Sequence, residues 1–457
     1  MLKYNLNFKF QSIIEFFSHL INDKDLLNTS LNQGFKIVAG PLLLVFIPLF
    51  LSPEVQGYWF SFISLSALSV LADLGFTMII MQYSAHEFAF LKVVKNTIIP
   101  INHEDRIHLE KLSSLLRFSI IWVLKIVIIA FPLILIIGFL FFNSNSDKII
   151  WRLPWVIYTV GAAINFINYL ILSFLEGCNN LATTQRFRFY NILINYCSIF
   201  FLLYIGANLY ALAISILLSS TLTAIIIYFR FKTILKQLWG ISRIVNYNWS
   251  SEFWSFFKKY SVSVASGFLV VQIFTPLSFI YYGAVAAGKV GLTMGICTAI
   301  FSISQIWFLS ISPRINILAS QKKWEIMNKL LKERQILAIG TYLLGIIIFC
   351  FVYFLIRNSV FYEVTNRLLP FVGIFILLIS WLIQIPIYTM AMSLRAHKKE
   401  PYTLLSVIGS IIVVILTLFS VNYLPEQFIF SGLLISIVFT FPFALLIYKK
   451  KKSEWCN

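Results

Sequence analysis

The sequence is poor in charge, and poorest in negative charge: Asp and Glu together number 18 in 457 residues, and charged side chains of both signs make up only 12%. Soluble domains carry about twice that share. A chain that is 59% hydrophobic, with mean hydropathy +0.86, has too little polar surface to face water on all sides. Cysteine is scarce as well. Cys178, Cys197, Cys297, Cys350 and Cys456 share no spacing of a metal site or a disulfide framework, and small apolar packing is the expectation for each. The histidines, His19, His86, His103, His108 and His397, all fall in polar segments, which excludes a histidine relay across an apolar layer. No Ser-His-Asp, paired-carboxylate or phosphate-loop pattern occurs. No expected external loop exceeds about a dozen residues, which leaves an outward-facing catalytic domain no room. The first 30 residues lack the apolar core and small-residue cleavage site of a signal peptide, so none is expected.

What the chain has instead is long apolar runs. Stretches able to cross roughly 30 Å of hydrocarbon occur near 31–52, 57–83, 115–142, 153–176, 190–208, 209–229, 261–282, 287–312, 336–357, 369–392, 402–422 and 428–448. The fold class they predict is an all-α integral membrane protein of about 12 transmembrane helices. Lys and Arg total 36. With both termini inside, only Lys148, Arg152, Arg357 and Arg367 fall outside and only Lys36, Lys125 and Lys289 fall within spans; all the others are cytoplasmic. That asymmetry predicts an N-in, C-in orientation in a bacterial inner membrane. It also accounts for the formal charge of +18 without nucleic acid as a partner.

The plan divides into a cytoplasmic or interfacial segment over 1–30, a six-helix bundle over 31–230, and an amphipathic connector over 231–260 rich in Trp, Phe and Lys. A second six-helix bundle covers 261–448, followed by a basic tail over 449–457. A short echo supports the duplication: Val55, Gln56, Gly57 open the second span much as Lys289, Val290, Gly291 open the eighth. Six-helix repeats about an axis along the membrane normal are a known transporter plan.

Ionisable groups inside spans are costly and usually face a partner or an aqueous cavity. Lys36, Asp73, Lys125, Glu176 and Lys289 qualify. Asp73 shares a polar arc with Ser66, Ser69, Thr77 and Ser84, and its depth permits a buried pair with Lys125; a structural pair and a cavity-lining role are equal readings. Asn165, Asn168 and Glu176 share one face of the fourth span, and Asn191, Asn195 and Ser198 one face of the fifth. They form either a cavity wall or interhelical hydrogen bonds, with snorkelling as the simpler role for Glu176. Pro41 and Pro48 in the first span and Pro276 in the seventh are hinge candidates. The cluster His103, Glu104, Asp105, Arg106, His108 and Glu110 reads as a solvated helix. Three lysines against two carboxylates suggest an interior suited to anions.

Several segments carry a family resemblance: Asn32, Gln33, Gly34 to Pro41; Gln56, Gly57, Tyr58; Leu71 to Phe76; Glu176 to Asn180; Ala287 to Gly291; and Ile311, Ser312, Pro313. In these the chain resembles the polysaccharide transporters of the multidrug/oligosaccharidyl-lipid/polysaccharide (MOP) flippase superfamily, in particular O-antigen repeat-unit flippases. The resemblance implies two six-helix bundles around a cavity that opens alternately to each face. It implies a cargo of one oligosaccharide repeat on undecaprenyl pyrophosphate, membrane lipids as surroundings, and a polysaccharide polymerase and chain-length regulator as partners. No cofactor is implied, although a coupling H⁺ or Na⁺ is compatible with the plan. Cys178, Asn179 and Asn180 depart from the basic and aromatic residues frequent there in relatives, so no phosphate contact is carried over. A MATE-type multidrug/cation antiporter and a lipid II flippase of the same superfamily are the alternatives, and a polytopic sugar polymerase or ligase is a more distant one.

Overall fold

The computed structural model describes residues 24–143, 149–244, 247, 249, 257, 261–262, 264–268, 270–309, 311, 314–315, 318–319, 321–359, 362–396 and 401–456. The expected interfacial segment before residue 24 and most of the connector after residue 244 lie outside these. Among the described residues, 11 helices are long and apolar enough to cross a membrane, and the first helix adds a shorter apolar stretch, Val38–Phe50. The chain is a multi-pass, all-α membrane protein.

Helix α1 (Lys24–Phe50) carries Pro41 and Pro48 without interruption. The second apolar run, expected as one helix, is three: α2 (Pro53–Ser66), α3 (Leu68–Asp73) and α4 (Phe76–Phe88). Ser52 starts α2, its Oγ accepting from the Val55 N–H at 3.3 Å, with Pro53 in the first turn. The break follows Asp73, where Leu74 (φ 46°) and Gly75 (φ 83°) are both left-handed. Glycine takes this conformation freely, whereas leucine pays about 1–2 kcal/mol for it. Hydropathy does not register backbone handedness, so the apolar pattern runs straight through the interruption.

The chain forms two compact units, one of residues 1–39, 75–137 and 152–257, the other of 40–74, 138–151 and 258–457. In the first unit a β-hairpin, β1 (Leu91–Val94) paired antiparallel with β2 (Thr97–Pro100), turns through Lys95 (φ 48°) and Asn96 (φ 63°), the double left-handed pattern of a tight hairpin. Nothing in the sequence announces it. Helix α5 (Arg106–Phe142) follows a 3₁₀ turn in which Asn102 and Asp105 form a reciprocal capping box; of the cluster expected as a solvated helix, His108 is instead partly buried, its ring nitrogen 2.7 Å from the buried Glu87 carboxylate and its ring stacked on Phe90. Helices α6 (Arg152–Gly177), α7 (Leu181–Tyr204) and α8 (Leu209–Ser242) pack side by side. Gly161 lets α6 meet the α8 backbone, where a Cβ would come within 2.8 Å of the Leu217 nitrogen. The turn between α7 and α8 uses Gly206 and Asn208, both at positive φ. Helix α8 is continuous through residue 230 and ends only at Ser242. There Gln237 clamps the hairpin, accepting from the Ile98 N–H at 2.8 Å and donating to the Ile98 carbonyl at 2.7 Å.

The second unit holds α9 (Phe274–Tyr282), α10 (Ala284–Leu309), α11 (Trp324–Arg357), α12 (Tyr362–Asn366), α13 (Phe371–Arg395), α14 (Thr403–Tyr423) and α15 (Ser431–Cys456). The basic run Lys449 to Lys452, expected as a tail, is still helical within α15. Helices α2 and α10 cross through their glycines, so the two motifs that echo each other in sequence meet in space. A Cβ on Gly57 would overlap the Ala284 carbonyl, and one on Gly291 the Phe60 ring. Tyr58, wholly buried, packs beside this crossing with ring centroids 5.4 Å from Phe142 and 5.1 Å from Phe279.

Candidate functional site

Where α6 ends and α7 begins, the first unit gathers polar groups that an apolar setting rarely admits. Arg188 Nη2 donates to Glu176 Oε2 at 2.8 Å, both side chains 13% exposed. A second bond reaches Ser173 Oγ at 3.1 Å, and the guanidinium lies 4.2 Å from the centre of the Tyr169 ring. Gln185 completes the chain, donating to Glu176 Oε1 at 2.8 Å and accepting from the Asn32 amide of α1 at 2.8 Å. Arg186 Nε donates to Asn28 Oδ1 at 3.3 Å. Arg188 Nε and Asn32 Oδ1 stay buried without a partner among the described residues, an incomplete network of the kind that costs free energy unless something fills it. Arg188 alone meets the Glu176 carboxylate, and Arg186, two residues before it on α7, is exposed and reaches Asn28 instead.

Glu176 is therefore ion-paired rather than snorkelling into headgroups. Sequence alone assigns Arg186 and Arg188 to loop charge, yet they stand in the second turn of α7. An Arg-x-Arg ten residues after a span-end glutamate is the signal that could have found them.

Deeper in the same unit the asparagines behave as helix glue. Asn168, 3% exposed, donates to the Ser220 carbonyl of α8 at 2.7 Å. The Asn191 amide reaches Thr223 Oγ1 at 3.0 Å, the Ser219 carbonyl at 3.3 Å and Asn165 Oδ1 at 3.4 Å. Asn195 Oδ1 is buried and unpartnered among the described residues. Interhelical bonding explains three of these four residues.

The remaining candidates are dispersed. Asp73 is half-buried at the helix break. Lys125, expected as a buried partner for it, is exposed on α5 and forms no ion pair among the described residues. Lys36 lies one turn beyond Asn32 on α1, its side chain outside the described residues. Lys289 on α10 pairs with Glu426 at 2.9 Å. That partner sits in a short loop before α15, and sequence reasoning misses it because such a loop is read only for length. Pro41 and Pro48 line an apolar cavity of about 270 Å³ with Leu292, Ile296 and Tyr353, and Pro276 lies in the first turn of the short α9.

Lys289 also borders a cavity of about 260 Å³ lined by Pro53, Gln56, Tyr362, Glu363, Asn366 and Arg367. Gln56 Nε2 donates to the Gly288 carbonyl at 2.9 Å and to the Arg367 carbonyl at 3.3 Å, tying α2 to α10 and to the loop after α12. Burial lowers the Arg367 pKa, an effect that neighbouring Glu54 and Glu363 oppose.

No protein-family model and no curated protein matches the sequence. Solved structures do. An inward-facing multidrug-resistance MATE family transporter of the MOP superfamily aligns over 93% of this chain and 95% of its own, with TM-score 0.62 and 16% identity. The fold is that of a MATE transporter. The MATE multidrug transporter DinF-BH, solved in complex with a ligand, aligns over 93% of this chain and 94% of its own with TM-score 0.59 and 12% identity. A MOP superfamily transporter from Pyrococcus furiosus, described as having a binding pocket of reverse polarity that suggests a different function, aligns over 95% of this chain and 97% of its own with TM-score 0.56 and 13% identity. The MATE fold thus spans nearly the whole chain, in keeping with the twelve-helix plan expected from hydropathy.

Proposed function

We propose that the protein is a flippase that carries undecaprenyl-pyrophosphate-linked repeat units of O-antigen or a related surface polysaccharide across a bacterial inner membrane. The observation that carries this reading is the buried Arg188–Glu176 pair with Arg186 two residues away on α7, in which the one carboxylate seen among the described residues is already taken by an arginine. Two guanidinium groups two residues apart on α7, one of them with an unused buried Nε–H, suit a pyrophosphate, which accepts paired N–H donors. They suit a cationic drug badly. The orphaned Arg188 Nε and Asn32 Oδ1 leave hydrogen-bonding capacity for a headgroup, while a prenyl tail needs no polar enclosure and stays in lipid. A polymerase and a chain-length regulator are the partners such a step would serve. Reverse polarity in another protein of this fold offers a precedent for a MATE scaffold put to a different use.

A cation antiporter is the second reading, favoured by Asp73 beside the break between α3 and α4, since interrupted helices with an acidic residue can hold a coupling ion. One strain separates the two. Cells lacking the protein should accumulate lipid-linked saccharide on the inner leaflet and lose surface polysaccharide, with drug susceptibility unchanged. Increased drug susceptibility with intact polysaccharide would overturn the flippase reading.

A further inference from the structure

The guanidinium of Arg188 carries its N–H donors in a fixed planar fork. Two-pronged capture of an oxyanion uses one edge of that fork, either Nε with Nη2 or Nη1 with Nη2. Nη2 belongs to both edges, and both of its hydrogens are engaged: one nitrogen serves Glu176 Oε2 at 2.8 Å and Ser173 Oγ at 3.1 Å. Every hydrogen bond that Arg188 makes among the described residues goes through Nη2, while Nε is buried without a partner. Tyr169 covers one face of the group at 4.2 Å. An incoming anion thus meets a fork whose shared nitrogen is already held by a carboxylate of the protein itself.

That carboxylate has little else to hold it. Oε1 accepts from Gln185 Nε2 at 2.8 Å, and Gln185 accepts in turn from Asn32 of α1. Among the described residues Arg188 is the one cation in ion-pair contact with Glu176. Arg186 turns to Asn28 on α1, and the side chain of Lys36, one turn beyond Asn32, lies outside the described residues. Helix α4 packs on the end of α6 at Gly177 through Met81, Ser84 and Ala85. Of the titratable residues that follow on α4, His86 is exposed and Glu87 is held by His108 at 2.7 Å. Helix α8 meets α6 at the uncharged Ser220 carbonyl.

An anion seated on either edge brings a second negative charge to the nitrogen that holds Glu176. Two anions so close do not both stay ionised, and a carboxylate stripped of its guanidinium in a buried setting takes up a proton. We infer that Glu176 is an internal stand-in for the phosphate of the cargo, displaced from Arg188 when a pyrophosphate binds, and that its carboxylate takes one proton from solvent as it leaves. The inference rests on the flippase reading and adds control of that same site by a proton. The neutral carboxyl gains an O–H that can donate to the phosphate oxygen now in its place. Binding linked to proton uptake weakens as pH rises, by up to about tenfold per pH unit for one proton. A cationic ligand held by Glu176 needs the carboxylate ionised, so a proton would never strengthen its binding.

The test uses full-length protein in lipid nanodiscs and, as probe, undecaprenyl pyrophosphate bearing one N-acetylglucosamine. In this diester neither phosphate has the second ionisation, near about pH 6, of a terminal phosphate, so the probe itself does not titrate near neutrality. Calorimetric titration in buffers of different ionisation enthalpy counts the protons. Wild-type protein should take up close to one proton per probe bound, with affinity falling as pH rises above neutrality. Glu176→Gln, uncharged and of the same shape, should bind at least tenfold more tightly under alkaline conditions and take up no proton. Arg188→Gln should lose the probe. Wild-type protein that binds the probe without proton uptake, or Glu176→Gln that still takes a proton up, would overturn the inference and leave the flippase reading standing. The wild-type proton count decides the matter even if Glu176→Gln fails to fold. Failure of wild-type protein to bind the probe at any pH would overturn both.

Discussion

Arg188 and Glu176 are joined at 2.8 Å across the junction of α6 and α7, each 13% exposed, with Tyr169 stacked on the guanidinium. Removing one partner of such a pair strands the other in a medium of low dielectric and costs about 3–5 kcal/mol. Arg188→Ala should therefore lower the melting temperature of detergent-purified protein more than the double variant Arg188→Ala/Glu176→Ala does. Thermal unfolding of both variants and of Glu176→Ala completes the cycle. Additive losses would show that the pair is not coupled.

Gly57 is the narrowest point of the α2–α10 crossing, so even a methyl group must push the helices apart. Gly57→Ala should destabilise by about 1–3 kcal/mol, the usual cost of overpacking. Gly240 on α8 has no neighbour within 4 Å of a built Cβ, and Gly240→Ala there should be neutral or stabilising by up to about 1 kcal/mol. Comparing the two by thermal unfolding separates steric crowding from helix propensity.

Leu74 holds a left-handed conformation that costs leucine about 1–2 kcal/mol. Leu74→Gly should relieve it and leave the protein as stable or more so, although a leucine side chain is lost. Gly75→Val should be harmful, because a β-branched residue at φ 83° is strained whatever space surrounds it. Yield and melting temperature report both.

Lys289 and Glu426 are each about a quarter exposed, at 26% and 28%, and exposed pairs are typically worth about 0–1 kcal/mol. A double-mutant cycle should return a coupling in that range. If Lys289 contacts cargo, Lys289→Ala will reduce surface polysaccharide far more than so small a change in stability can explain. A normal polysaccharide ladder at normal abundance would remove Lys289 from the cargo path.

The membrane spans are legible because each is a continuous apolar run long enough to cross hydrocarbon, and even the short turn at Gly206 and Asn208 leaves a trace. Features that interrupt or decorate those runs are not. The break at Leu74 depends on backbone handedness that an Ala-Asp-Leu-Gly string does not announce. The hairpin over residues 91–100 has strands of four residues, too short for an alternation to stand out. Arg186 and Arg188 are hidden by the assumption that charge next to a span end belongs to a loop. Conversely, Asn165, Asn168, Glu176, Asn191 and Lys289 stand out in the sequence as polar groups that need partners, and each has one; the partners come from helices and loops that sequence order does not single out.

The hairpin clamped by Gln237 has a practical side. Its tip, Lys95–Asn96, stands in a conformation that favours Asn-Gly, and both flanking strands are fixed by the ladder and by α8. A short epitope or a rigid fusion inserted between Lys95 and Asn96 would be held at a defined angle to a 34-residue helix. For a multi-pass membrane protein of 457 residues, that gives a particle-alignment handle for electron microscopy and a sidedness reporter for protease protection in sealed vesicles.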